Sequence, residues 1–319
     1  MIGNRQESRW VSNPTIPTFM GKSLHYTTTN LVVMVLGVAI TYFCAIPIIG
    51  GLWAFLLTLL ASFAISALAK RPINKENNNT LRLAVFGLFA WLGHVLSPLI
   101  FQFIFIIPNG PLLLIGAIMA TAFITFTTAL YAQYTQETRQ ADKYILMRPL
   151  LANLVIGLIA VGILNMFFQM PIITLLYGLA GACIFTLYLL SDIILVANLH
   201  SDATVVSAEK ADHDAILCGA VIALDISNIF ISILEIIGVM SNKGSDMGKS
   251  ITTLFMTLLG PILMLGVVFG FNEAFSASPV SKSSRAPVRS QQFVSAKPPS
   301  FCEWLMGSKD STPAQSLVR

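Results

Sequence analysis

Four ionisable side chains stand inside long apolar stretches of this 319-residue chain. Asp192 lies in Tyr188-Leu189-Leu190-Ser191-Asp192-Ile193, and Asp225 in Ala223-Leu224-Asp225-Ile226-Ser227-Asn228. Glu235 follows Asp225 on the same stretch, and His94 sits in an earlier one. A charge at bilayer depth is costly, so each is a functional candidate. Two carboxylates close together in low dielectric cannot easily both be ionised; they share a proton and so form a pH-sensitive latch. At higher pH their repulsion favours separation of the helices that carry them. A cation between them is the other chemistry, with calcium first, because carboxylate oxygens suit Ca²⁺. Asp192 and Asp225 are therefore the expected ion-binding and pH-gating residues. Asp225, Asn228, Ser232 and Glu235 fall within one arc at 100° per residue, a polar stripe that turns toward other helices or a pore. Asn228 and Ser232 also read simply as interhelical hydrogen-bonding groups. His94, about 18 Å into its segment, reaches the same layer and titrates near neutrality; a satisfied core histidine is the competing reading. Glu235 lies nearer the outer face, where a solvated carboxylate is the plainer reading. Asn228, His94 and Glu235 are thus possible supports for the acidic pair.

The elements that position these groups follow from composition. Only 11% of the residues are Asp, Glu, Lys or Arg, against about 25% in a soluble domain. So few charges cannot cover a water-soluble surface, and lipid removes the need. About 20 apolar residues cross the hydrocarbon core. Eight stretches approach or pass that length, near 31–49, 51–69, 82–107, 111–133, 149–168, 171–199, 214–239 and 250–271. Pro47 with Gly50-Gly51, Pro108-Asn109-Gly110-Pro111 and Gln169-Met170-Pro171 mark tight links that make helical hairpins. β-barrel strands would be shorter and would alternate. With the N-terminus in the cytoplasm and all eight stretches spanning, seventeen of the nineteen Lys and Arg lie inside, as the positive-inside rule requires. On that topology Asp192 is about 10 Å and Asp225 about 16 Å from the inner ends of their spans, at similar depth. If the final apolar stretch is instead re-entrant or a surface element, the tail ends outside. The expected layout is a polar N-terminal tail (1–30), a seven-span bundle (31–239), an extra apolar helix (250–271) and a disordered basic tail (272–319). No removable signal peptide is expected. Cys44, Cys183, Cys218 and Cys302 form no CxxC pair, so neither a disulfide framework nor a zinc site is expected.

Three stretches carry a family resemblance. They are Gly93-His94-Val95-Leu96-Ser97-Pro98-Leu99-Ile100, Asn165-Met166-Phe167-Phe168-Gln169-Met170-Pro171, and Leu224-Asp225-Ile226-Ser227-Asn228-Ile229-Phe230-Ile231-Ser232-Ile233-Leu234 with Gly238 beyond. In order and spacing they resemble the Bax inhibitor-1 family, especially its bacterial YccA-type branch, over roughly 30–240. The resemblance implies an all-α bundle of seven membrane helices with the last packed centrally, here with one additional C-terminal apolar helix. It also implies an acidic pair on the sixth and seventh helices, associated with a pH-dependent calcium leak. Asp192 and Asp225 match those two positions. The chain departs from the family pattern in a longer loop between the two Asp residues, in the eighth apolar stretch and basic tail, and in Ile193-Ile194 where Thr-Gln is usual.

The leading expectation is a pH-sensitive cation leak channel or exchanger, with no cofactor and no covalent catalysis, in a bacterial inner membrane. The alternative, which the family also suggests, is a membrane regulator or binding partner of a membrane protease or of cell-death machinery. A small-molecule transporter is a weaker third option, since no internal repeat appears. No Walker loop, HExxH or GxSxG is present, and no basic patch with interleaved aromatics argues for nucleic acid.

Overall fold

The computed structural model describes residues 15–44, 52–137, 144, 147–168, 170–198 and 207–241. The segments 250–271 and 272–319 lie outside the described residues. Seven helices and no strands occur among the described residues: α1 (Thr15–Phe43), α2 (Leu52–Ala69), α3 (Lys75–Phe105), α4 (Gly110–Glu137), α5 (Arg148–Phe168), α6 (Pro171–Asn198) and α7 (Ala208–Ser241). Five of them, α1, α3, α4, α6 and α7, are long and apolar enough to cross a membrane. Large apolar side chains face outward from the bundle, including Phe43, Leu60, Leu112, Met119, Phe123 and Ile172. That surface suits lipid tails and would be untenable in water on this scale. The chain is an integral membrane protein.

α7 is the hub. It packs against α6, α1, α4 and α3. In its most apolar stretch 83% of residues are buried, against 17% for α4 at the rim. Among the polar side chains that α7 buries are Asp214, Asp225, Ser227, Asn228, Ser232 and Glu235.

α1 begins at Thr15, well before the apolar run that starts near residue 31. Its first half looks polar as a string, but Phe19, Ser23, Tyr26, Thr27, Asn30 and Met34 are all buried. Their spacing is one helical face. That face lies along α7: the Tyr26 hydroxyl donates to Asp212 Oδ1 at 2.9 Å, and the Thr27 hydroxyl to the Gly219 carbonyl at 3.3 Å.

α3 opens on an Asn74 cap whose side chain accepts from the Asn77 amide at 2.7 Å, satisfying one of the free amides of the first turn. Two residues of the Gly93–Ile100 stretch have local reasons. A Cβ on Gly93 would stand 2.0 Å from the Met34 carbonyl oxygen, so only glycine lets α3 and α1 approach this closely. Pro98 has no amide to give the carbonyl four residues earlier. That carbonyl belongs to His94, and the Ser97 hydroxyl donates to it at 2.8 Å instead. The α3–α4 link turns through Asn109 in the left-handed region, φ 57°, a conformation that Asn tolerates better than most residues.

Candidate functional site: a buried acidic pair on α6 and α7

Asp225 lies at the centre of the hub helix and is fully buried. Asp192 lies on α6, about 9 Å along the axis from its end at Asn198, and is also buried. The two carboxyls are within hydrogen-bonding reach of each other. Asp192 Oδ2 and both oxygens of Asp225 have no other polar partner. Tyr188, one turn before Asp192, is buried and close enough to feel the charge of both.

The third member of the site was not expected. Arg148, the first residue of α5, donates from Nη2 to Asp192 Oδ1 and forms an ion pair with it. The Arg148 side chain keeps 18% exposure while that of Asp192 keeps 3%. In the sequence Arg148 looks like one more positive charge at a membrane boundary. The available signal is depth: α5 starts at the same end of the bundle at which α6 finishes, so a long side chain at that start reaches the last turns of α6. Pro149 follows directly, and proline at a helix start leaves no broken hydrogen bond.

Tyr144, ahead of α5, lies against this end of α6. The Ser191 hydroxyl donates to the Tyr144 carbonyl at 3.4 Å, and the Tyr144 and Tyr131 hydroxyls lie 2.8 Å apart. That hydrogen bond, with partial burial, pushes the Tyr144 phenol up to about 12, so it stays neutral throughout the range in which carboxyls titrate. Asp214 and Cys218, both buried on α7, continue the polar line from the Ala208 end toward Asp192.

The remaining expected residues divide. Asn228 is buried on the stripe, with its Nδ2 unpartnered. His94 does not join the acidic pair: its Nδ1 lies 3.0 Å from the Thr41 hydroxyl on α1, and its ring stands beside Trp91 with centroids 5.3 Å apart. Glu235 is not solvated. It is 2% exposed, and neither carboxyl oxygen has a partner. The reason is length: α7 has 34 residues, about 51 Å, and neighbouring helices cover it well beyond the turn that a minimal span would bury.

The ligand set does not suit a resident calcium. Ca²⁺ takes six to eight oxygens. Here one of four carboxylate oxygens is already held by a guanidinium, and no group of three or more His, Cys, Asp or Glu among the described residues converges on one point.

No curated protein matches the chain. The profile of the family described as inhibitor of apoptosis-promoting Bax1 matches residues 17–243 of the 319. That match covers all seven described helices except the first two residues of α1. The chain therefore belongs to the Bax inhibitor-1 family.

Proposed function

We propose that this protein is a pH-sensitive cation leak channel or exchanger, with calcium as the first candidate cargo, gated by Asp192, Asp225 and Arg148. The observation that carries this reading is the fully buried contact of two carboxyls beside one guanidinium, where three helices meet. Two ties hold the latch. A proton shared between the carboxyls ties α6 to α7. The Arg148–Asp192 ion pair ties α5 to α6. Acid cuts the second, because a protonated Asp192 no longer holds the cation, and it turns the first from a bond onto a carboxylate into one between neutral acids. A charge-assisted hydrogen bond contributes about 1.5–3 kcal/mol and a neutral one about 0.5–1.5 kcal/mol, so both ties weaken. The path then opens as pH falls, reversing the sense that carboxylate repulsion alone suggests.

In this reading all seven helices span. α2, with 18 residues, and α5, with 21, fall within the range of about 17–25 residues that crosses the hydrocarbon core. The N-terminus is cytoplasmic, the membrane is a bacterial inner membrane, the chain belongs to the YccA-type branch, and 250–271 forms an extra apolar helix. The charge asymmetry of the loops supports the orientation. The test is calcium flux into proteoliposomes across a pH series. Flux should rise on acidification in the wild type and lose its pH dependence in Asp192→Asn/Asp225→Asn. Equal pH profiles would sink the proposal.

A second reading follows from the family description, which names an inhibitor of a death-promoting protein. The chain would then be a membrane regulator whose tails capture a membrane protease or a cell-death protein. Deleting 1–14 and 272–319, which leaves α1 whole from Thr15, should abolish that capture and leave flux intact; flux lost with the tails would argue against separating the two roles.

A further inference from the structure

A second buried acid lies on the hub helix, away from the pair. Glu235 is ten residues beyond Asp225, about 15 Å along the axis. It stands about 9 Å from the Ser241 end of α7, and Tyr177 stands about 9 Å from the Pro171 end of the adjacent α6. The two lie at one level, close enough for the charge of Glu235 to act on the phenol. Tyr177 is 4% exposed. Among the described residues its hydroxyl and both oxygens of Glu235 have no hydrogen-bond partner, one another included. Three buried polar atoms left open at one place is a debt that stable packing alone does not incur, because each has given up its bonds to water without replacing them. A glutamine would give helix-to-helix hydrogen bonds without the cost of an acid at this depth.

The surroundings are built tight. A Cβ on Gly181 of α6 would come within 2.6 Å of the Ser232 hydroxyl, so the glycine brings the α6 backbone against α7 one turn below Glu235. Ser232 and Asn228 continue on the same arc of α7 down to Asp225, both buried, the Asn228 amide nitrogen unpartnered. Tyr177 is the titratable side chain that faces Glu235 from α6. From α1, α3 and α4, which also pack on α7, no charged group among the described residues acts on it. A carboxylate here has no cation among the described residues to pair with, which leaves a proton as the species that neutralises it.

We propose that Glu235 and Tyr177 form a second proton-binding site, the far station of a polar line that runs along α7 through Ser232 and Asn228 to Asp225. Binding converts the Glu235 carboxylate and one proton into the neutral acid, whose hydroxyl and carbonyl oxygen pair with the Tyr177 hydroxyl. The site stands without the gating reading; only the destination of the proton, the Asp192–Asp225 pair, rests on it.

Infrared spectroscopy of the full chain in lipid vesicles, in chelator-containing buffer, tests the site by the stretch of a protonated carboxyl. At neutral pH ordinary carboxyls near 4 have lost their protons, so only held protons contribute. In an Asp192→Asn/Asp225→Asn background, adding Glu235→Gln should remove one carboxyl's intensity, and adding Tyr177→Phe should shift the band of that same carboxyl. No loss in the first, or an unmoved band in the second where the first does not fold, overturns the proposal. Calcium flux is scored separately: a band that depends on Glu235 in a protein without flux keeps this site and removes the gating reading, and the reverse removes this site alone.

Discussion

Removing Arg148 and removing Asp192 should not be equivalent, although both delete the same ion pair. Arg148→Gln leaves a carboxyl at 3% side-chain exposure without its cation, next to a second carboxyl. Stranding one member of a buried pair costs about 3–5 kcal/mol. Asp192→Asn leaves the guanidinium, which keeps 18% exposure at the start of α5 and can swing to water. The new amide can still serve Asp225 as a donor. That loss is near one ordinary hydrogen bond, about 1 kcal/mol. The double variant removes the stranded charge together with its cause, so it should resemble Asp192→Asn alone and recover about 2–4 kcal/mol relative to Arg148→Gln. Equilibrium unfolding in mixed micelles, read by intrinsic fluorescence for all four proteins, supplies the cycle. A double variant no more stable than Arg148→Gln would refute the argument, because it would mean that Arg148 stabilises α5 by something other than Asp192.

Two further outcomes follow from the same geometry. Tyr144→Phe should leave the pH profile of flux unchanged between pH 5 and 8, because a phenol pushed up to about 12 is neutral there. Its raised value means that its contribution to stability is fully present below about pH 10 and is lost toward 12, so wild type and variant should converge in thermal stability only in that alkaline range; a gap that opens at acid pH would contradict this. Gly93→Ala forces a methyl to within 2.0 Å of the Met34 carbonyl. Backbone cannot yield as a side chain does, so α1 and α3 must part. The cost should match or exceed the 1–3 kcal/mol of ordinary overpacking, seen as a lower melting temperature in detergent, and a neutral effect would mean that the two helices are not packed as described.

What was legible in the residues was the part set by periodicity and by punctuation. The stripe of Asp225, Asn228, Ser232 and Glu235 faces inward because a 100° step leaves it no other option once α7 is central. Proline and glycine mark the hairpin at Pro108–Pro111, which closes as a turn between α3 and α4. Helix rise put Asp192 and Asp225 at similar depth, and their pairing was what the family resemblance implied. Three features were hidden, each because a string records type and not neighbours. Arg148 serves both as a boundary charge and as a counter-ion, and only the height of α6 beside α5 separates the two. The first half of α1 is polar on average, so its buried face does not show in a running mean. Glu235 looked peripheral because the rule of about 20 residues per span stops counting before α7 ends.

The contact between α1 and α7 also has a bearing on how the protein is made. Tyr26 and Asp212, which hydrogen-bond in the finished bundle, are 186 positions apart. A ribosome adding about 5–20 residues per second delivers the second roughly ten to forty seconds after the first. Throughout that interval Ser23, Tyr26 and Asn30 belong to a helix whose partner does not yet exist. A polar stripe facing lipid is unfavourable, so the newborn α1 must hold it toward the insertion machinery, toward α3 once that helix arrives, or toward the headgroups. α1, made long before α7, is therefore among the last of the described helices to be seated, and the arrival of α7 gives its polar face the partner it lacked.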